Sequence, residues 1–229
     1  PVFITIGIGF MLDRMFKIDK KTLSRVTVYV FSPCLVFATL IKNDADPTDF
    51  AMMMLFATAL HLAMIVLSLL VGHLLHWDAR RRDALVLVSS FLNAGNLGLS
   101  VVLLSFGEDG LALAMAYFVI SNLMNNTFGA FFAARGGGQG GVKEALKKVV
   151  RLPSPYAFIL GYGLSLLHVE VPSQILTPLA SLGNAALPTM LLMLGIQLGQ
   201  TKLNHQLGDV SIGVFMRLVA SAGVAALLA

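Results

Sequence analysis

Residues 89–102 read SSFLNAGNLGLSVV and lie inside a run, 84–107, that holds no charged side chain. The run is about as long as the 17–25 residues that a bilayer crossing needs. Its centre nevertheless carries Asn93, Gly95, Asn96 and Gly98, all poor helix formers. In hydrocarbon, N–H and C=O groups freed by such an interruption cost several kcal/mol each unless protein or water satisfies them. Two readings follow. Either the helix unwinds over 93–100 beside a polar cavity, or small residues let neighbouring helices approach and the asparagines hydrogen-bond across them.

The chain around this stretch is 57% hydrophobic and 12% charged. Soluble domains carry about 25% charged residues, so an ordinary soluble globule is excluded. Further charge-free runs occupy 50–77, 110–134, 152–169 and 171–201, with shorter ones at 1–12, 26–41 and 218–229. Together they predict an all-α polytopic membrane protein with about eight spans. The first run is followed by Asp13 and Arg14 rather than a small-residue cleavage site, and no methionine or basic segment precedes it. It is therefore read as a span rather than a signal peptide, in a chain expected to continue beyond both ends. Cys34 is the single cysteine, which excludes an internal disulfide.

Basic residues alternate between connections. Arg14, Lys17, Lys20, Lys21 and Arg25 follow the first span, Arg80 to Arg82 the third, Arg135, Lys143, Lys147, Lys148 and Arg151 the fifth, and Lys202 the seventh. The other connections hold only Lys42, and Arg217 lies at the start of the last span. The positive-inside rule places the basic connections in the cytoplasm and the first visible residue outside, in a plasma (inner) membrane. A net charge of +4 distributed in this way is a topology signal and does not point to nucleic acid.

The one long connection, RGGGQGGVKEALKKVVRLP, is a Gly-rich and basic linker over 134–152. On either side of it the sequence repeats. PVFITIGIGFML places Gly7 and Gly9 after Pro1, and PYAFILGYGLSL places Gly161 and Gly163 at the same offsets after Pro155. Mid-span Pro33 and Pro188 then correspond with a one-residue slip. Residues 1–133 form a first five-helix repeat and 153–229 an incomplete second one, helices six to eight. An odd number of spans inverts the second copy, as in many secondary carriers. By the same arithmetic a ten-helix parent extends roughly 60 residues, two more helices, past residue 229.

A helix unwound at 93–100 would aim the positive end of a half-helix at the cavity, where anions bind. Asn93 and Asn96 add neutral donors, and Gly95 and Gly98 permit close approach. The fifth span adds Asn122, Asn125 and Asn126 on one helical face. Ser32, Pro33 and Pro188 either line that cavity or merely kink their helices. His61, mid-membrane, could titrate or could hold a helix contact. Arg217 could gate, or snorkel to the inner surface. No complete span contains an acidic residue, and no metal, nucleotide or hydrolase motif is present. An enzyme is therefore not expected, and neither is a cofactor; a proton or sodium could serve as coupling ion.

YVFSPCLVFATL, NAGNLGLS, YFVISNLMNNTFGAFFAARG, RLPSPYAFILGYGL and LGNAALPTMLLMLGIQLG occur in that order after PVFITIGIGFML. In this set the chain resembles the prokaryotic branch of the auxin efflux carrier family. The resemblance implies two inverted five-helix repeats with helices four and nine broken where they cross. Helices one, two, six and seven would form a scaffold for a mobile transport unit. It also implies export of organic anions, auxin-like carboxylates or dicarboxylates, with Asn93, Asn96 and the asparagines of span five similar to substrate-contacting positions. Ser100 stands where the family often has proline. The expected partners are a small organic anion and the lipid bilayer, and a homo-oligomer is compatible with this fold. The alternatives are a carrier of the bile-acid/sodium symporter type and, from another class, a helical membrane receptor or signalling module.

Overall fold

The computed structural model describes residues 2–42, 46–91, 94–135, 150–201 and 207–228; the side chains of Asn96 and Leu207 are outside that description. Every described element is helical. In chain order these are α1 (Val2–Phe16), α2 (Lys20–Val26), α3 (Ser32–Ile41), α4 (Pro47–Leu74), α5 (Ala79–Ser90), α6 (Leu99–Met124) and α7 (Ala130–Arg135). After the linker come α8 (Pro153–Leu166), α9 (Ser173–Asn184), α10 (Ala186–Gln200), α11 (Leu207–Phe215) and α12 (Ser221–Leu228). Four π-turns interrupt them, at Thr27–Phe31, Ala94–Gly98, Asn125–Gly129 and Met216–Ala220.

Among the described residues, five helical segments are long and apolar enough to cross a bilayer: Lys20–Ile41, Pro47–Leu74, Leu99–Arg135, Ser173–Gln200 and Gly208–Leu228. Eight crossings were expected. Three of the expected runs form shorter helices, α1 with 15 residues, α5 with 12 and α8 with 14. The segment Leu99–Arg135 carries parts of two expected runs, and it turns between them at Gly107, whose φ of 69° and ψ of −161° only glycine adopts readily.

Local chemistry sets the helix ends. Asp19 and Asp78 cap α2 and α5 by accepting from the amides of Lys21 and Arg81, each at 3.0 Å. Pro47 and Pro153 open α4 and α8, where a missing N–H costs nothing. Lys17, His76 and His168 follow α1, α4 and α8 in the left-handed conformation that closes a helix. The two mid-span prolines sit where the ladder is disturbed. Pro33 follows the π-turn Thr27–Phe31, and Pro188 lies three residues after Ala185, which separates α9 from α10.

The chain divides into two compact units, each assembled from both sides of the linker. The first comprises Pro1–Ala51, Asn93–Val119 and Leu152–Lys202, and so gathers spans one, two, six and seven. In it α1 packs on α10 through glycines. A Cβ on Gly9 would stand 2.9 Å from the Cα and carbonyl carbon of Leu192 and closer still to its carbonyl oxygen, and one on Gly195 would stand 2.7 Å from the amide nitrogen of Phe10. On the other side α8 packs on α3, with Gly161 against the backbone of Phe37, and α9 meets α3 where Gly183 faces Leu35. Lipid tails are as apolar as leucine, so close backbone approach through small residues is how such helices associate.

The second unit comprises Met52–Leu92, Ile120–Arg151 and Leu203–Ala229. Its core is Ile65, Val86 and Phe132 with Leu69, Leu87, Phe91 and Phe131 packed around them. Ser68 and Ser89 share a hydroxyl hydrogen bond across α4 and α5; one of the two hydroxyls donates it, and the other donates to the carbonyl four residues back on its own helix. Arg81 holds Asp209 through two nitrogens at 2.9–3.1 Å, and Arg135 approaches Asp83 at 3.4 Å. Large apolar side chains such as Leu55, Val66 and Leu218 are exposed, as lipid-facing surface requires.

Candidate functional site

The predicted interruption exists, but it differs in extent. Helix α5 stops at Ser90, and Phe91 is extended, with φ −106° and ψ 97°. Helical bonding is present again from Ala94, first as the π-turn Ala94–Gly98 and then as α6 from Leu99. The expectation of uncoiled backbone through 93–100 is thus corrected: residues 94–100 are helical, and extended backbone occurs upstream at Phe91. A π-turn widens the helix while keeping most backbone groups bonded, which satisfies the same hydrocarbon constraint more cheaply than unwinding does.

Gly95 and Gly98 play different parts. A Cβ on Gly95 would stand 2.7 Å from the ring of Phe118 and 3.4 Å from the sulfur of Met190, so this glycine serves packing. Nothing lies within 4 Å of the corresponding point on Gly98. Asn93 and the side chain of Asn96 lie outside the described residues.

Beside this segment, within the first unit, is a cavity of about 690 Å³. It draws Thr5 from α1, Thr39 from α3, Ser100 from α6, and Asn184 and Pro188 from the α9–α10 junction. Lys42, Glu108 and Asp109 also line it. The walls between are leucines and alanines, so the cavity is apolar with a few neutral donors and one ammonium, against two carboxylates. Ser100 is 5% exposed, and its hydroxyl has no hydrogen-bond partner among the described residues. A buried hydroxyl left without a partner costs about 1–3 kcal/mol, and a ligand that accepts from it would recover that cost.

Among the described residues, Pro188 is the one predicted site residue that lines this cavity. Ser32 is buried and Pro33 half-buried nearby on α3. Asn122, Asn125 and Asn126 belong to the second unit, at the π-turn Asn125–Gly129. The Asn126 amide donates to the carbonyl of Asn122 at 2.9 Å, and Gly129 stands close to Asn125 Oδ1. His61 is 2% exposed and bonds the carbonyl of Ala57 through Nδ1 at 2.7 Å. Arg217 donates to the carbonyls of Val88 and Ser89 at 3.3 and 3.4 Å.

Sequence reasoning missed two buried carboxylates. Asp83 is 1% exposed and Asp13 7%, with Gln200 donating to Asp13 Oδ1 at 2.6 Å. Both flank charge-free runs by one residue, a position that composition assigns to the surface. It also missed Thr5 and Thr39, because single hydroxyls on separate spans form no local pattern. Among the described residues no group of three or more His, Cys, Asp or Glu could hold a metal ion.

The family described as "Membrane transport protein" matches residues 1–145. The chain is 28% identical to an uncharacterized transporter of Methanothermobacter thermautotrophicus, over 98% of this chain and 75% of the relative. It is also 28% identical to the uncharacterized transporter MJ1031 of Methanocaldococcus jannaschii, over 96% of this chain and 72% of the relative. A multi-spanning helical chain with this match over more than half its length has transport, not catalysis, as its role: it belongs to the membrane transport protein family, the auxin-efflux-carrier family that its motifs resemble.

Proposed function

We propose that the protein is a secondary carrier of small organic anions, dicarboxylates or auxin-like carboxylates, that works by alternating access without ATP. The observation that carries this reading is the unpartnered, buried Ser100 hydroxyl. Ser100 lines the cavity of about 690 Å³ and lies nine residues after the extended backbone at Phe91 in the fourth span. Ser100, Thr39 and Asn184 offer neutral donors to a carboxylate without burying a fixed charge. Asn93 and Asn96 are proposed as further contacts of this site, and Asn122, Asn125 and Asn126 as substrate contacts within the second unit.

Reciprocal packing supports the inverted repeat over 1–133 and 153–229, with 134–152 as the cytoplasmic linker. Span one contacts span seven at Leu192, four residues after Pro188. Span six contacts span two at Phe37, four residues after Pro33. The helix pairs correspond as an inverted repeat requires, although the glycines at the contacts differ: Gly9 makes the first, and Gly161, the counterpart of Gly7, the second. The gathering of spans one, two, six and seven in one unit supports the scaffold role. Lys42, Glu108 and Asp109 come from two connections that carry few basic residues, and they share one cavity. That supports a cavity open to the outer side of the inner membrane.

Thiol labelling tests the assignment. In a full-length protein with Cys34→Ser, Ser100→Cys should react with a membrane-impermeant thiol reagent from outside, and a transported carboxylate should slow the reaction. Labelling that no carboxylate slows, in protein that still transports one, would remove Ser100 from the site.

A further inference from the structure

The carbonyl end of α5 is a second polar feature in the membrane. A helix that stops at Ser90 leaves its last carbonyls without intrahelical donors, and its dipole adds partial negative charge there. In carriers built on broken helices such ends coordinate the coupling cation. Here the Arg217 guanidinium is on them, with Nη1 3.3 Å from the Val88 carbonyl and 3.4 Å from that of Ser89. The hydroxyl of Ser89 is turned away, 2.7 Å from the carbonyl oxygen of Leu85.

The arrangement is built by packing. Gly213, one turn before Arg217, lets α11 lie against α5, since a Cβ there would stand 3.2 Å from Cγ1 of Val88. Gly213 and Arg217 both meet α5 at Val88, the glycine against its side chain and the guanidinium at its carbonyl. Arg217 also lies in the π-turn Met216–Ala220, and single π-turns recur at functional positions. Arginine suits the task because its charge is permanent, and a single nitrogen, Nη1, reaches both carbonyls.

We propose that Arg217 is a tethered cation, occupying on the carbonyl end of α5 the place that sodium takes in sodium-coupled carriers. This rests on the carrier reading above. It makes Arg217 a positioning residue, and it argues against sodium coupling at this end of the molecule.

Thermal unfolding of the full-length protein in detergent tests the idea without requiring transport. Sodium chloride, compared with equimolar choline chloride, should leave the wild-type midpoint unmoved. Arg217→Ala should unfold several degrees lower, about what the loss of one charged interaction gives in a chain of this size. Sodium or low millimolar guanidinium, but not choline, should restore at least half of that loss, and Arg217→Lys should behave nearly as wild type. A saturable sodium stabilisation of the wild type would overturn the proposal. So would a well-folded Arg217→Ala that neither cation moves. If Arg217→Ala does not fold, the wild-type sodium titration and Arg217→Lys decide: indifference with a near-wild-type Lys variant supports the proposal, and saturable stabilisation or a Lys variant as damaged as Ala contradicts it. Failure of carboxylate transport with these stability results intact would count against the carrier reading alone.

Discussion

Gly9 meets Leu192 backbone to backbone: a Cβ on this glycine would stand 2.9 Å from both the Cα and the carbonyl carbon of the leucine. Neither side can yield, because both atoms belong to helix ladders. Gly9→Ala and Gly195→Ala should each destabilise the protein by about 1–3 kcal/mol, the usual cost of overpacking. Gly7→Ala and Gly163→Ala face open space and should be neutral or slightly stabilising. Unfolding midpoints in detergent check this, and equal effects at all four positions would refute the assigned interface.

Breaking the pair formed by Asp83 and Arg135 should cost unequally from its two ends. The Asp83 side chain is 2% exposed and that of Arg135 48%. Arg135→Gln leaves a carboxylate buried without its cation and should cost about 2–3 kcal/mol, less than the roughly 3–5 kcal/mol of a fully buried pair because Arg135 is half exposed. Asp83→Asn removes the buried charge itself and should cost less. The reverse order in unfolding measurements would show that the pair does not hold this end of the second unit.

Acid should loosen the start of α2. The Thr22 hydroxyl, donating to Asp19 at 2.8 Å, and then the Lys21 amide hold the Asp19 carboxyl below the ordinary carboxylate range. A lowered folded-state value contributes stability above the unfolded value of about 3.9, and that contribution is lost as pH falls through the folded one. Hydrogen exchange in the first turn of α2 should accelerate below that range relative to the pH-dependent intrinsic rate. In Asp19→Ala this extra acceleration should be absent.

Three buried hydroxyls lack partners among the described residues: Ser90, Ser100 and Ser121. Alanine at Ser90 or Ser121 removes an unsatisfied group, so stability should hold or rise by up to about 1 kcal/mol. Ser100→Ala should be equally stable yet raise the apparent KM for a carboxylate about tenfold, one hydrogen bond to a charged acceptor. A Ser100→Ala protein with unchanged transport would separate the cavity from the substrate path.

Much of this architecture was legible because the bilayer imposes simple rules. Charge-free runs located the helices, and the interruption in the fourth span followed from Asn93 to Gly98. Its extent did not, because a π-turn and an unwound strand share one composition, and only hydrogen bonding distinguishes them. Arg217 was visible as an intramembrane charge, but its partners are backbone carbonyls, which every sequence contains. The face predicted from Asn122, Asn125 and Asn126 assumed α-helical spacing, which the π-turn beginning at Asn125 alters. Asp13 and Asp83 looked like loop residues because nothing local reveals which helix end is covered by another.

Counterflow in proteoliposomes tests the central claim most directly. The full-length protein, loaded with one unlabelled carboxylate at a time from a panel of dicarboxylates and auxin-like acids, should accumulate the same labelled compound saturably, without ATP and without a sodium gradient. Accumulation that occurs only with a neutral or cationic solute, or that requires ATP, would contradict the account.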